Sequence, residues 1–217
     1  MSGAAPLVEA VVFDIGGVLL AYDFDRAVRA AAPLAGLPVA EVRQRLFGDN
    51  GYASMGRDRE VAKFECGLIS EREFHACVEA LLQRRLPFEL FRDAWNGIFI
   101  HEIEPTVTLM RQLRRRPGLK VGMLSNTNAL HYAYVRQRWS MFSEIEHVYV
   151  SHEIGRRKPD PEAYRHVLEN MGVPARRTVF VDDLIENVIA ARAVGMLAIH
   201  APDAAAVRTG LAALGLV

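Results

Sequence analysis

The chain is expected to fold as a doubly wound α/β domain, a parallel sheet covered by helices on both faces, with an all-helical insert after the first strand. Three observations predict it. Short, almost continuously apolar runs alternate with helix-length amphipathic runs, the pattern of strands buried on both sides. The 217 residues are 51% hydrophobic, enough for a sizeable core. The alternation is suspended between about residues 21 and 100, where helical signals occur alone.

The first strand is expected at residues 8–14 (VEAVVFD), followed by Gly16 and Gly17, which let the chain turn and bring its backbone close to a ligand. Residues 21–100 carry no convincing strand but have helix-start signals of their own, at Pro38 and in the capping-box pattern of Ser70 with Glu73. Residues 1–20 and 101–217 would therefore form the α/β core, and 21–100 a small helical domain. Downstream, helix 105–115 precedes strand 119–125 (LKVGMLS), and helix 128–139 precedes strand 147–151 (HVYVS). Helix 160–171 precedes strand 178–182 (TVFVD), helix 184–194 precedes strand 196–200 (MLAIH), and a last helix spans about 203–214. Gly172 and Gly195 stand just past two of these helices, where a C-terminal cap favours a residue that tolerates positive φ.

Composition removes several functions. Twenty-six basic and 26 acidic side chains cancel, so no field of one sign recruits nucleic acid or a membrane surface. The cationic run RQLRRRPGLK (111–120) lies near a helix C-terminus, where the dipole favours cations, and lacks interleaved aromatics. Cys66 and Cys77 have no partner at zinc-ligand spacing, and the histidines form no i, i+4 pair; His147 and His152 read as strand-flanking polar groups. Phe91, Trp95 and Phe99, spaced by four, read as packing within the insert. MSGAAPLVEA is not a basic-then-apolar leader, and no run approaches ~18 apolar residues, so a cytoplasmic protein without membrane contact is expected.

In an open α/β sheet, ligands bind beyond the carboxyl ends of the strands, near the point where strand order reverses. Asp14 ends strand one within VVFDIGGVLL (11–20), Ser125 and Asn126 end the second, and Asp182 and Asp183 end the fourth. The loop after the third, GRRKPDPEAY (155–164), delivers Lys158. Taken singly, most have another explanation. Ser125 serves equally as an N-cap, and Asp183 with Glu186 three residues later reads as a capping box. Lys158, beside Arg156 and Arg157, reads as a solvated loop charge. Asp14 resists such a reading, because a carboxylate in an apolar run is costly unless it meets hydrogen bonds, a cation or water. Together, and in this order, these residues supply what phosphoryl transfer needs: a nucleophile, donors and a cation for the phosphoryl oxygens, and carboxylates for a divalent metal. Magnesium suits such an oxygen-only site.

Four stretches carry a resemblance to a known family. VVFDIGGVLL, VGMLSNTN (121–128), GRRKPDPEAY and TVFVDDLIENVIAA (178–191) resemble, in order, the four motifs of the haloacid dehalogenase-like (HAD) hydrolases, in the subfamily with a helical cap between the first two motifs. LSNTN, HEIGRRKPDPEAY and FVDDLIENV are most similar to the alpha-D-glucose-1-phosphate phosphatase group. The resemblance implies a Rossmann-like core and a Mg²⁺-dependent phosphatase acting on a small phosphorylated metabolite, a sugar phosphate such as glucose 1-phosphate among them. A monomer or weak homodimer is expected. Residue by residue, it implies that Asp14 attacks phosphorus, that Ser125 and Asn126 hold the phosphoryl oxygens, and that Lys158 neutralises charge on both partners. It further implies that Asp183 binds Mg²⁺ with Asp14 and the Gly16 carbonyl, with Asp182 as co-ligand or support, and that Asn187 orients the Asp183 carboxylate.

One position departs from the pattern. The family's phosphatases commonly carry a second aspartate two residues after the nucleophile, as general acid and base; here that position is Gly16. Such catalysis is typically worth ~10²- to 10⁴-fold. Asp23, or else Asp25, or another group borne by the insert, is the expected substitute, unless both aspartates are N-caps of the first insert helix. Two other readings follow: a HAD-like protein that binds a phosphate ligand without turnover, and a haloacid dehalogenase, whose metal-free attack on carbon leaves Asp182 and Asp183 unexplained. GDNGYASMGRD (48–58) is either the part of the insert that meets substrate or a plain turn.

Overall fold

A computed structural model describes residues 7–48 and 60–217. In chain order it contains β1 (Ala10–Phe13), β2 (Leu20–Tyr22), α1 (Phe24–Ala35), α2 (Val39–Phe47), α3 (Glu60–Glu65), α4 (Glu71–Leu82), α5 (Phe88–Asn96) and β3 (Phe99–Glu102). There follow α6 (Glu104–Arg114), β4 (Lys120–Ser125), α7 (Ala129–Arg138), α8 (Met141–Glu144), β5 (His147–Val150) and α9 (Ser151–Ile154). The chain ends with α10 (Pro161–Met171), β6 (Thr178–Asp182), α11 (Ile185–Ala193), β7 (Leu197–His200) and α12 (Ala204–Ala213).

Five strands form one parallel sheet in the order β5-β4-β1-β6-β7. Successive side chains of a strand point to opposite faces, and β1 shows how this builds two cores. Val11 and Phe13 pack in one layer with Val107 and Met110 of α6 and Leu211 of α12. Ala10 and Val12 pack in the other with Tyr164 and Val167 of α10 and Ala191 of α11. The sheet is thus a doubly wound, Rossmann-like α/β layer, and its order reverses at β1, which places the carboxyl ends of β1, β4 and β6 side by side.

Helices α1 to α5 lie between β1 and β4 in sequence and build a third apolar cluster, including Val28, Phe47, Phe64, Phe74, Val78 and Trp95. Ser70 caps α4 with the full capping box: its hydroxyl accepts from Glu73 N–H and the Glu73 carboxylate accepts from Ser70 N–H. Phe91 and Trp95 stack within this cluster, whereas Phe99 packs edge-on against His131 of α7 and against Trp139. The stretch expected to meet substrate, residues 48–58, lies outside the described residues from position 49 onward.

The expectation of no strand between 21 and 100 is corrected. β2 and β3 pair antiparallel as a two-stranded ribbon, and the boundaries drawn at 20/21 and 100/101 fall inside them. Strands of three and four residues with mixed exposure carry too few positions to show a period. The ribbon carries both crossings of the chain between sheet and helical insert.

Candidate active site

β1 ends at Phe13, and its apolar register sets Asp14 at the sheet edge, where its N–H donates to the Val181 carbonyl (2.8 Å). Asp14 is only 7% exposed. Oδ1 accepts from Ile15 N–H (2.6 Å) and lies 2.8 Å from Lys158 Nζ; Oδ2 has no partner among the described residues. The chain then turns at Gly17, whose φ of +74° suits glycine. A Cβ there would stand 2.2 Å from Asp183 Oδ2, so this glycine admits the Asp183 carboxylate to the site.

Lys158 is 2% exposed and is no solvated loop charge. Its Nζ donates to Asp182 Oδ2 (2.7 Å) as well as meeting Asp14. Asp182 is saturated: Oδ1 also accepts from Leu184 N–H (2.8 Å), and Asn187 Nδ2 reaches both oxygens (3.0 and 3.1 Å). Asn187 therefore orients Asp182 and not Asp183, a correction: the residue five positions back, not four, comes within reach because Asp182 lies in the strand and Asn187 in the helix. Neither aspartate is the N-cap of α11, which is Leu184.

Asn126 also differs from its expected role. Its Nδ2 donates to the Lys158 carbonyl (2.8 Å) and its Oδ1 accepts from Lys158 N–H (2.7 Å), so the side-chain amide is spent on clamping the lysine's backbone. Ser125, at the end of β4, is 5% exposed, and its hydroxyl makes no hydrogen bond among the described residues. The cap of α7 is Asn128, which accepts from His131 N–H. Ser151 was missed, although a hydroxyl ending an apolar run is the kind of signal used for Ser125. It accepts from Thr127 N–H and donates to the Thr127 carbonyl, fixing the loop after β4 (both 2.9 Å).

Asp23 and Asp25 are not brought to the site. Asp23 is the N-cap of α1, accepting from Asp25 N–H (2.8 Å) and Arg29 (2.7 Å); burial is the largest single influence and pushes its carboxyl up, but these bonds and the arginine charges together outweigh it and hold the carboxyl below its ordinary range. Asp25 pairs with Arg43. The side chain that does reach the turn is Tyr22, which no sequence pattern singles out. Its ring covers Gly16, where a Cβ would meet Cε1 at 3.0 Å. Burial, followed by the nearby Asp183 and Asp14 charges, pushes its phenol up to about 12.

Asp14, Asp182 and Asp183 each offer a carboxylate oxygen within 4.8 Å of the others. Burial is the main force raising the Asp14 carboxyl, opposed by Lys158 and reinforced by Asp182; burial and then Asp182 likewise raise Asp183. Three carboxylates face one lysine, and this excess negative charge fits a divalent cation with hard oxygen preference. Asp14 Oδ2 and Asp183 are the oxygens left open to it; Asp182 is committed to Lys158 and Asn187.

Residues 8–195 match the family described as haloacid dehalogenase-like hydrolase. The chain belongs to the HAD-like hydrolases. It is an enzyme of the hydrolase class, and the curated proteins similar to it include phosphatases. Phosphatase MT3486 of Mycobacterium tuberculosis is 31% identical over 196 residues, covering 88% of this chain and 86% of that one. D-ribitol-5-phosphate phosphatase of Bacteroides thetaiotaomicron is 29% identical and covers 84% of this chain and 86% of its own. Among solved structures, the HAD family enzyme bt-2542 of Bacteroides thetaiotaomicron, in complex with magnesium and inorganic phosphate, superposes with a TM-score of 0.73 at 25% identity, over 88% of this chain and 92% of that one. Among the described residues, no helix is long and apolar enough to cross a membrane.

Proposed function

We propose that this HAD-like hydrolase is a Mg²⁺-dependent phosphatase of small phosphorylated metabolites, sugar and polyol phosphates first among them, working through a phosphorylated Asp14. The observation that carries the reading is the buried Asp14–Lys158–Asp182 chain beside the open Asp183, a nucleophile and a cation source fixed at one sheet edge. The similarity to a D-ribitol-5-phosphate phosphatase favours a hydroxylated substrate, and glucose 1-phosphate belongs in the same test.

The chain's own groups divide the work. Asp14 attacks phosphorus and the ester oxygen leaves; water then attacks the aspartyl-phosphate, releasing phosphate and restoring the carboxylate. Lys158, held by Asp182 and by the Asn126 clamp, keeps its charge beside Asp14 and the transferring oxygens. The free Ser125 hydroxyl donates to one of those oxygens. Asp14, Asp183 and the Gly16 carbonyl would hold the divalent cation, which when bound supplies charge neutralisation at the phosphoryl group.

The test is phosphate release from a panel containing glucose 1-phosphate, ribitol 5-phosphate, phosphoglycolate and an isoprenoid alcohol phosphate, with and without Mg²⁺, against Asp14→Asn. Turnover that needs both Mg²⁺ and Asp14 is expected. Folded protein that binds phosphate yet shows no Asp14-dependent release from any of them would make the chain a binding protein instead.

A further inference from the structure

A phosphate monoester of an ordinary alcohol leaves as an alkoxide, which needs a proton as the P–O bond breaks. The groups around Asp14 are mostly unable to give one. Lys158 is fixed between two carboxylates, both edges of the Asn126 amide are bonded, and Asp182 is saturated by Lys158, Asn187 and a backbone N–H. Asp23 is closed off as a helix cap bound to Arg29. Ser125 lies on β4, suited to a phosphoryl oxygen and too weak an acid for the task.

Tyr22 is different in each respect. Its ring lies over the turn two residues past the nucleophile: a Cβ on Gly16 would stand 3.0 Å from Cε1, 3.3 Å from Cδ1 and 3.8 Å from Cζ. The ring is held edge-on by Phe24 at 5.3 Å. The β2–β3 pairing shifts register between Ala21 and Tyr22, an irregularity of the kind that re-aims a side chain beside a site. The residue is 37% exposed, and its hydroxyl makes no hydrogen bond among the described residues. An unperturbed phenol has a pKa of about 10 and is protonated at neutral pH.

We infer that Tyr22 is the proton donor to the leaving group, its ring lying over Gly16, the position two residues past the nucleophile that has no side chain of its own. The inference rests on the phosphatase reading above. In the first step a carboxylate oxygen of Asp14 bonds to phosphorus, the bond from phosphorus to the ester oxygen breaks, and the Tyr22 proton passes to that oxygen, giving a free alcohol and a phenolate. In the second, water bonds to phosphorus, its proton returns to the phenolate, and Asp14 is released as carboxylate with inorganic phosphate.

The experiment compares kcat/KM, which reports on the step that expels the alcohol, for an alkyl phosphate and for p-nitrophenyl phosphate, whose leaving group needs no proton. Tyr22→Phe keeps the ring over Gly16 and loses only the hydroxyl. It is expected to lower kcat/KM by about 100-fold on the alkyl phosphate and to leave p-nitrophenyl phosphate within about threefold, while Asp23→Asn changes neither. Equal losses on both substrates would make Tyr22 a packing residue and overturn the inference, as would a selective loss in Asp23→Asn instead. Absence of Asp14-dependent turnover in the wild-type protein would overturn the phosphatase reading, and this inference with it.

Discussion

Gly17 has a backbone conformation that side chains rarely adopt, and the space beside it is filled by Asp183 Oδ2. Gly17→Ala would displace that carboxylate from the only open pair of oxygens in the cluster. The expected result is a loss of roughly 10- to 100-fold in Mg²⁺ affinity, the range found when support for a metal ligand is removed, measured by titration calorimetry. Asp182 offers a different test at the same scale. With Lys158 and Asp182 both buried, Asp182→Asn leaves a lysine that has lost one of two anionic partners, and a fall in stability of about 3 kcal/mol is expected by denaturant unfolding. Asp14, Ser125 and Asp183 could be located in the sequence because each is a polar residue ending or following an apolar run, and Lys158 only in combination with them, from the loop after the third strand. The jobs of Asn126 and Asn187 were not legible there: an amide clamped on a backbone 32 residues away leaves no trace in local pattern, and which of two adjacent aspartates Asn187 meets depends on how the strand passes into the helix.

The helical insert meets the sheet domain through particular groups, and one of them titrates. His131, near the start of α7, is buried; its Nε2 donates to the Trp95 carbonyl of α5 (2.9 Å), its Nδ1 accepts from Asn128 (3.1 Å), and its ring stacks on Trp95 at 5.2 Å. Burial pulls its pKa down from 6.5 to about 4, so the unfolded chain takes up its proton first and stability falls as the pH drops below 6.5, levelling out below about 4. The contribution amounts to about 2.5 kcal/mol between pH 7.5 and 4.5. Urea unfolding at the two pH values should show that difference in excess of any change in His131→Gln. A second attachment joins Glu65 of α3 to Arg157, in the loop that delivers Lys158, at 2.8 Å, while the Gly67 backbone passes too close to the His152 carbonyl for a side chain. The long helices of the sheet domain could be read from periodicity and the five sheet strands from their continuous apolar runs; β2, β3, α8 and α9, of three or four residues each with mixed exposure, offer neither signal.

At the scale of the molecule, the site exists because strand order reverses at β1 and sets the ends of β1, β4 and β6 together. The doubly wound class was readable from the alternation of elements, which leaves few arrangements open; the strand order itself was not. The placement of Tyr22 was not, since it depends on how an irregular ribbon folds back over the first turn. The charge excess of the carboxylate cluster gives a whole-molecule prediction. Mg²⁺ at about 100 times its dissociation constant should stabilise the native protein by about 2.7 kcal/mol, seen as a rise in Tm that chelation reverses and Asp183→Asn abolishes. The ribbon has a mechanical consequence as well. Because both crossings between insert and sheet run side by side, the covalent tether of the insert is a single line, and the buried His131–Trp95 and Glu65–Arg157 contacts supply the rest of its hold on the sheet domain. Asp14, Ser125, Lys158 and Asp183 belong to the sheet side, whereas Tyr22 lies in the ribbon. On the proposed chemistry, loosening those contacts would leave the groups that grip a phosphate in place and shift only the one that donates the proton.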